Sequence, residues 1–322
     1  MSKPGLFPLC IVCLFFSAIT GCSSRQPTII VIPRTTATPL WESLHLGVAE
    51  VARGSGFHIY WNAPSDEADP EKQLNLLAAG ENQHPGGVIF APNDILALRS
   101  AVLQLETKHI PAVIVDDELG PLPGPLLSYV TSDEQASGDL AAQQVATILR
   151  GHGAIAIIGI SGTLESGASR ESSFESALSR RAPGIHIVER RFKGSMVALE
   201  QKFAQEILDG PNHIDAIVAL SDMATRGALY AKLASDSHAS IPIVGFDQES
   251  LIPIQAGAIN AVIAQDTRTI GQIAMKNLEA EMRGEKVSGT TKVPPILLTR
   301  QTIHSPNVAR LWEFSQYRWS DQ

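Results

Sequence analysis

Cysteine is nearly absent from this 322-residue chain: Cys10, Cys13 and Cys22 are the only three, all within the first 22 positions. Everything after Cys22 therefore makes no disulfide and offers no thiolate as nucleophile or metal ligand, so the fold must be stabilised by core burial alone. Histidine does not fill the gap. The nine are scattered as His45, His58, His84, His109, His152, His186, His213, His238 and His304. No two have the i, i+4 spacing of a helical zinc site, and no metal or cofactor is expected. Basic clusters are missing as well. Lys and Arg number 25 against 33 Asp and Glu, for a net charge of −8. Removing residues 1–21, which hold Lys3 and no acid, makes it −9. Nucleic-acid binding, which calls for clustered positive charge, is excluded. The longest apolar run, Leu6 to Ile19, falls short of the roughly 20 residues of a comfortable spanning helix.

That run has a different use. Lys3 precedes it, small residues follow, and Ile19-Thr20-Gly21-Cys22 leads into Ser23-Ser24. This is the order of a secretory signal, and its ending resembles a bacterial lipobox, whose cysteine carries the lipid. An uncleaved membrane anchor is the alternative, against which Pro4, Gly5 and Pro8 stand. Either way the rest of the chain is exported. Residues 1–21 are read as the lipoprotein signal peptide, with Cys22 as the lipidation site and residues 22–27 as a tether.

From Thr28 onward short β-branched runs alternate with longer stretches of helical spacing. The first series is TIIVI (28–32), FHIYW (57–61), GVIFA (87–91), AVIVD (112–116) and LSYV (127–130). The second is AIAIIGI (154–160), IHIVE (185–189), DAIVAL (215–220), IPIVGF (241–246) and AVIAQ (261–265). Continuous apolar strands of this kind are buried on both faces of a parallel sheet. Between them, Leu40, Leu44, Val48 and Val51, and later Leu140, Val145, Ile148 and Leu149, recur every three to four residues as on one face of a helix. Two βα series of about five strands each predict an α/β protein of two doubly wound, Rossmann-like lobes. Such lobes bind ligands at the carboxyl ends of their strands. The informative residues are therefore Arg34 to Trp41, Asn62, Pro92, Asp116-Asp117, Ser161 to Arg170, Ser221-Asp222, Asp247 and Gln265.

Catalytic readings fail on spacing. GISGTLESG (159–167) sits between a strand and a helix but lacks both the Lys-Ser/Thr ending of a phosphate loop and the G-x-S-x-G of a nucleophile elbow. Asp116 and Asp117 suggest a hydrolase pair. Adjacent residues at a strand end point in opposite directions, however, so the two carboxylates are expected to diverge.

VGFDQ (244–248) and VIAQD (262–266), with APND (91–94), IPAVIVDD (110–117), YVTSD (129–133), SRESSFESAL (169–178) and ALSDMATRGAL (219–229), resemble the type I periplasmic sugar-binding proteins. That group contains the ribose- and galactose-binding proteins, and the likeness runs from about Thr28 to Val293. The effector half of LacI-type repressors shares the fold, but no helix-turn-helix precedes it here. The resemblance implies a first lobe of residues 28–130 plus 266–292 and a second of 131–265 plus 293–299. A three-segment hinge would join them near 129–133, 264–267 and 292–295, leaving residues 300–322 as a tail of unassigned role. It places Arg170 in the cleft as a fork of donors to hydroxyls and makes Asp247 an acceptor from adjacent hydroxyls. Gln265 would sit at a crossover, with Ser221 and Asp222 where relatives carry a sugar-contacting asparagine. Trp41 falls where relatives lay an aromatic face on the sugar ring. Core packing for Trp41, pairing of Arg170 with Glu171 or Glu175, and N-capping by Asp222 stay open, and Trp61 is open between core and cleft rim.

Departures from the pattern matter. Relatives carry Asp-Arg after the fourth strand where this chain has Asp116-Asp117, and Thr38 replaces an asparagine. No phenylalanine is found near Ser195-Met196, where ribose-type relatives use one. Both Asp116 and Asp117 are counted among the ligand-binding residues, and an amino sugar or other cation stays open beside a neutral monosaccharide. The expected function is that of a lipid-anchored, non-enzymatic solute-binding protein delivering its ligand to the permease of an ABC transporter. A sensor component feeding a chemoreceptor or kinase is the alternative, and an exported enzyme on the same fold the remoter one.

Overall fold

The computed structural model describes residues 26–311, apart from 37, 122–123, 162–164, 195 and 247–249. Cys22, the signal segment, Asp247 and the aromatic residues Trp312, Phe314, Tyr317 and Trp319 lie outside the described residues. The chain begins β1 (Thr28–Ile32), α1 (Pro39–Ala52), β2 (His58–Trp61), α2 (Pro70–Glu81), β3 (Gly87–Phe90), α3 (Ile95–Thr107), β4 (Ala112–Val115) and β5 (Leu127–Ser132). It continues α4 (Glu134–Ile148), β6 (His152–Ile160), α5 (Glu165–Arg181), β7 (Gly184–Phe192), α6 (Val197–Leu208), β8 (Ala216–Ala219), α7 (Asp222–Leu233), β9 (Ile243–Gly245), α8 (Leu251–Ala256) and β10 (Ala261–Ala264). Last come α9 (Thr267–Met282), β11 (Thr290–Val293), β12 (Ile296–Leu298) and α10 (Pro306–Ala309).

These strands form two six-stranded sheets, ordered β11-β5-β4-β3-β1-β2 and β12-β10-β9-β8-β6-β7. Pairings are parallel except that of β10 with β12. Alternate residues of β1 serve opposite faces, as the twofold strand period requires. Ile29 and Val31 join the apolar cluster under α1 and α9, while Ile30 and Ile32 join the one holding Leu77, Leu98 and Val102. The second sheet is covered on both faces in the same way. Each sheet is thus the centre of an α/β sandwich, giving the two lobes of a type I periplasmic binding fold.

The chain passes between lobes three times. β5 of the first sheet leads into α4, which packs on α5. β10 of the second leads into α9, which packs on α1. β11 and β12, absent from the predicted strands, lie on either side of the third passage. Beyond β12, Ile303, Val308 and Leu311 are buried in the second lobe's core. Arg310 meanwhile donates to Asp266 and to Thr269 Oγ1 (3.1 Å) in the second passage.

Close helix pairs rest on glycine. Gly138 of α4 faces the backbone of α5, where a Cβ would overlap the Arg170 carbonyl oxygen and stand 2.6 Å from the Phe174 nitrogen. Backbone cannot yield as a side-chain tip can, so Gly138→Ala must part the helices. We expect a loss of about 2 kcal/mol in urea unfolding, within the range for overpacked cores.

Candidate functional site

A cavity of about 130 Å³ opens between the lobes at the carboxyl ends of the strands. Arg34, Trp41 and Asp116 line it from the first lobe. Arg170, Ser221, Asp222 and Phe246 line it from the second, with Gln265 from the passage after β10. Six of the eight residues singled out in the sequence therefore converge here. Asp117 does not line this cavity, and Asp247 is outside the described residues.

The first-lobe wall is organised by Arg34, which follows β1. Its Nε donates to the Pro92 carbonyl (2.9 Å), and Nη2 lies between Asp116 Oδ2 (2.6 Å) and Asp117 Oδ2. Nη1 is 3.8 Å from Glu67. The expected divergence of the two aspartates is thereby corrected. Strand β4 ends at Val115 and Asp116 has a left-handed φ of 74°, which breaks the alternation and turns both carboxylates onto one guanidinium. The Asp117 side chain is fully buried against Arg34, and its other oxygen accepts from the Ser166 amide (2.9 Å). Burial opposes the charge on Arg34, but Asp116, Asp117 and Glu67 more than offset it and raise its basicity. Burial pushes the Asp116 carboxyl up to about 6 against the pull of Arg34, with Asp117 and Glu134 adding to the rise.

The second-lobe wall is organised by Arg170. Neither Glu171 nor Glu175 is its partner. Its Nε and Nη2 grip Glu134 in a bidentate pair (2.7 and 2.9 Å), and Nη1 donates to the Leu220 carbonyl (2.7 Å). Three of the five N–H groups of an arginine are thus held by described residues, which fixes the fork and leaves part of it facing the cavity. Gln265 Nε2 joins the two walls, 3.1 Å from Glu134 Oε1 and 3.4 Å from Asp116 Oδ1. Each guanidinium also lies over an aromatic ring of its own lobe. Arg34 is 5.9 Å from the Trp41 ring centre and Arg170 is 4.5 Å from that of Phe246, both within cation–π reach.

The N-cap of α7 is Ser221, not Asp222, and both residues line the cavity. The Ser221 Oγ accepts from the Ala224 amide at 3.2 Å, while Asp222 follows it and pairs with Arg226 at 3.1 Å. Trp41 is at once core and cavity wall, with only 1% of its surface exposed. Trp61 stacks on His45 at 4.1 Å, away from the cavity lining. Arg34 stands among the strand-end residues of the sequence but not among the candidate ligand contacts, and Glu134 and Phe246 are in neither set, although Phe246 belongs to the VGFDQ run. Arg34 had a signal in the unpaired Asp116-Asp117, since two buried acids require a cation.

No histidine lines the cavity, and among the described residues no cluster of three or more His, Cys, Asp or Glu is placed to hold a metal ion. Paired hydrogen-bonding groups and aromatic faces on both sides make this a site for holding a small polar molecule.

Residues 29–286 match the periplasmic binding protein domain family. The chain is 26% identical over 284 residues to the ribose import binding protein of Haemophilus influenzae, covering 86% of this chain and 92% of that one. It is 25% identical over 276 residues to the D-allose-binding periplasmic protein of Escherichia coli, covering 83% and 88%. An ABC transporter solute-binding protein from Agrobacterium vitis, solved with bound α-D-tagatopyranose, superposes with a TM-score of 0.81. It is 21% identical, with 89% of this chain and 99% of that one covered.

Proposed function

The chain belongs to the periplasmic binding protein domain family, and on that premise we propose that it captures a monosaccharide-sized polyol between its lobes and hands it to the permease of an ABC transporter. The observation that carries this reading is the pairing of a fixed guanidinium over an aromatic ring in each lobe, with Asp116 and Gln265 between them. A sugar presents hydroxyl edges that match fixed donors and acceptors and C–H faces that match aromatic rings. Arg34 and Arg170 donate, Asp116 accepts, Gln265 does both, and Trp41 and Phe246 supply the faces. Asp222 lies at the rim, and Asp247 follows Phe246 directly. Binding across both walls favours closure, because only differential affinity for the closed form shifts that equilibrium.

No bond is made or broken in this role. Export through the signal segment and a lipid on Cys22 would hold the protein at the outer face of a membrane. No helix among the described residues is long and apolar enough to cross a membrane.

Thermal melting against monosaccharides, amino sugars and polyols tests the reading. A cognate ligand at a hundred times its Kd adds about 2.7 kcal/mol. Arg170→Met should abolish the shift while the protein stays folded. A shift confined to cationic ligands would move the substrate class to amino sugars, and none with any sugar would sink the proposal.

A further inference from the structure

We propose that Asp117 is a latch between the lobes, which closes the cleft before any ligand arrives. This rests on the reading that the lobes open and close. Asp117 follows β4 of the first lobe, whereas Ser166 lies in the first turn of α5 in the second. The Ser166 amide is one of the N–H groups that a helix start leaves without an intrahelical partner, and it donates to Asp117 Oδ1 at 2.9 Å. The first lobe therefore supplies the acceptor for a helix start of the other lobe.

Three features make this bond a closure element. The acceptor is a carboxylate side chain set against the positive end of a 17-residue helix, where such a group is favoured. Arg34 holds the second oxygen of Asp117, so the carboxylate is aimed before the lobes meet. Ser166 and Asp117 belong to different lobes and lie beside Thr131, Ser132 and Lys292 of the first and third passages, so a rotation of one lobe on the other acts directly on the bond between them. The latch uses no atom of the ligand and needs none. It would set how tightly the protein binds by fixing how much of the unliganded population is already closed.

The test is a distance measurement. The chain from residue 22 onward with Cys22→Ser has no thiol, so Gln104→Cys on α3 and Lys202→Cys on α6 take spin labels selectively. Without ligand, electron–electron resonance should show a closed population in the parent. Ser166→Pro removes the amide donor together with the hydroxyl, which lines the cavity, at a first-turn position where proline is tolerated. It should lower the closed-to-open ratio about tenfold, as for loss of a hydrogen bond to a charged group, and weaken ligand affinity in parallel. Ser166→Ala keeps the amide and should match the parent. Asp117→Ala removes the acceptor and should reproduce the proline effect, which the double variant should not enlarge. It also carries the test should the proline variant not fold. A parent that is wholly open without ligand, or a proline variant indistinguishable from it, overturns the proposal. Because these distances are read without ligand, a failed sugar panel leaves the latch intact, and an absent latch leaves sugar binding intact.

Discussion

Arg34→Leu is expected to lower the unfolding free energy by about 3–5 kcal/mol at pH 7, the range seen when one partner of a buried ion pair is removed. Leucine keeps much of the volume, so the loss is electrostatic. Asp116 and Asp117, with 10% and none of their side-chain surface exposed, would be left without their shared cation, and Glu67 would lose a third favourable contact. Asp116, which burial already pushes up to about 6, can relieve the site by taking a proton, so the deficit should shrink as the pH falls toward 5. Adding Asp117→Leu should recover part of the loss at pH 7, since removing both partners is far less costly than removing one. Urea unfolding at pH 5 and pH 7 reads all three variants. A single variant that costs less than about 1 kcal/mol would mean that the carboxylates are solvated, contrary to their burial.

Glu281→Gln should have the opposite sign. The Glu281 side chain lies within the first lobe, and neither carboxylate oxygen has a hydrogen-bond partner among the described residues. Burial pushes its carboxyl up to about 8 from an ordinary 4.5 and Glu106 raises it further, against a pull from the nearby Ser128 hydroxyl, which makes no well-formed hydrogen bond to it. The folded state thus binds this proton more tightly than the unfolded chain does. Its contribution to stability is complete below about pH 4.5 and is lost as the pH rises through 8, with a limiting slope of about 1.4 kcal/mol per pH unit. Glutamine resembles the protonated form at every pH. The variant should gain about 3 kcal/mol at pH 7 and less than about 1 kcal/mol at pH 5. His45 works the other way, since burial lowers it to about 4 and its contribution is lost as the pH falls below 6.5. A gain from Glu281→Gln that does not vary with pH would show that packing, not ionisation, is responsible.

Much of the architecture was legible because buried parallel strands announce themselves. β1 coincides with the TIIVI run, six of the other nine apolar runs contain a whole strand, and LSYV, AIAIIGI and IHIVE lie inside longer ones. β11 and β12 escaped because TTKV and ILL are short pieces at sheet edges, which neither alternate clearly nor form an apolar run. The site was legible as a set of strand ends but not as a network. Arg170, Gln265 and Trp41 could be placed by position alone. The pairing of Arg34 with Asp116 and Asp117 could not, because it joins residues 82 and 83 positions apart and depends on one backbone turn at Asp116. The same turn reversed the expected directions of the two aspartates. Likewise Glu134 acquires its role only when α4 and α5 pack at Gly138, a three-dimensional fact with no local signature.

The three passages between lobes also govern the order in which this polypeptide can become a protein. The sheet of the first lobe has five of its strands by Ser132, but the helix covering one of its faces begins at Thr267 and its edge strand ends at Val293. At typical synthesis rates, roughly 10–30 s separate those points. During that interval Val113, Val115 and Val130, in strands that α9 packs against in the finished protein, lack part of their cover. The second lobe waits longer still, since Ile303, Val308 and Leu311 are part of its core. Neither half can finish alone on the ribosome. A chain stopped short of Thr267 would leave two incomplete lobes instead of one sound lobe and one damaged one.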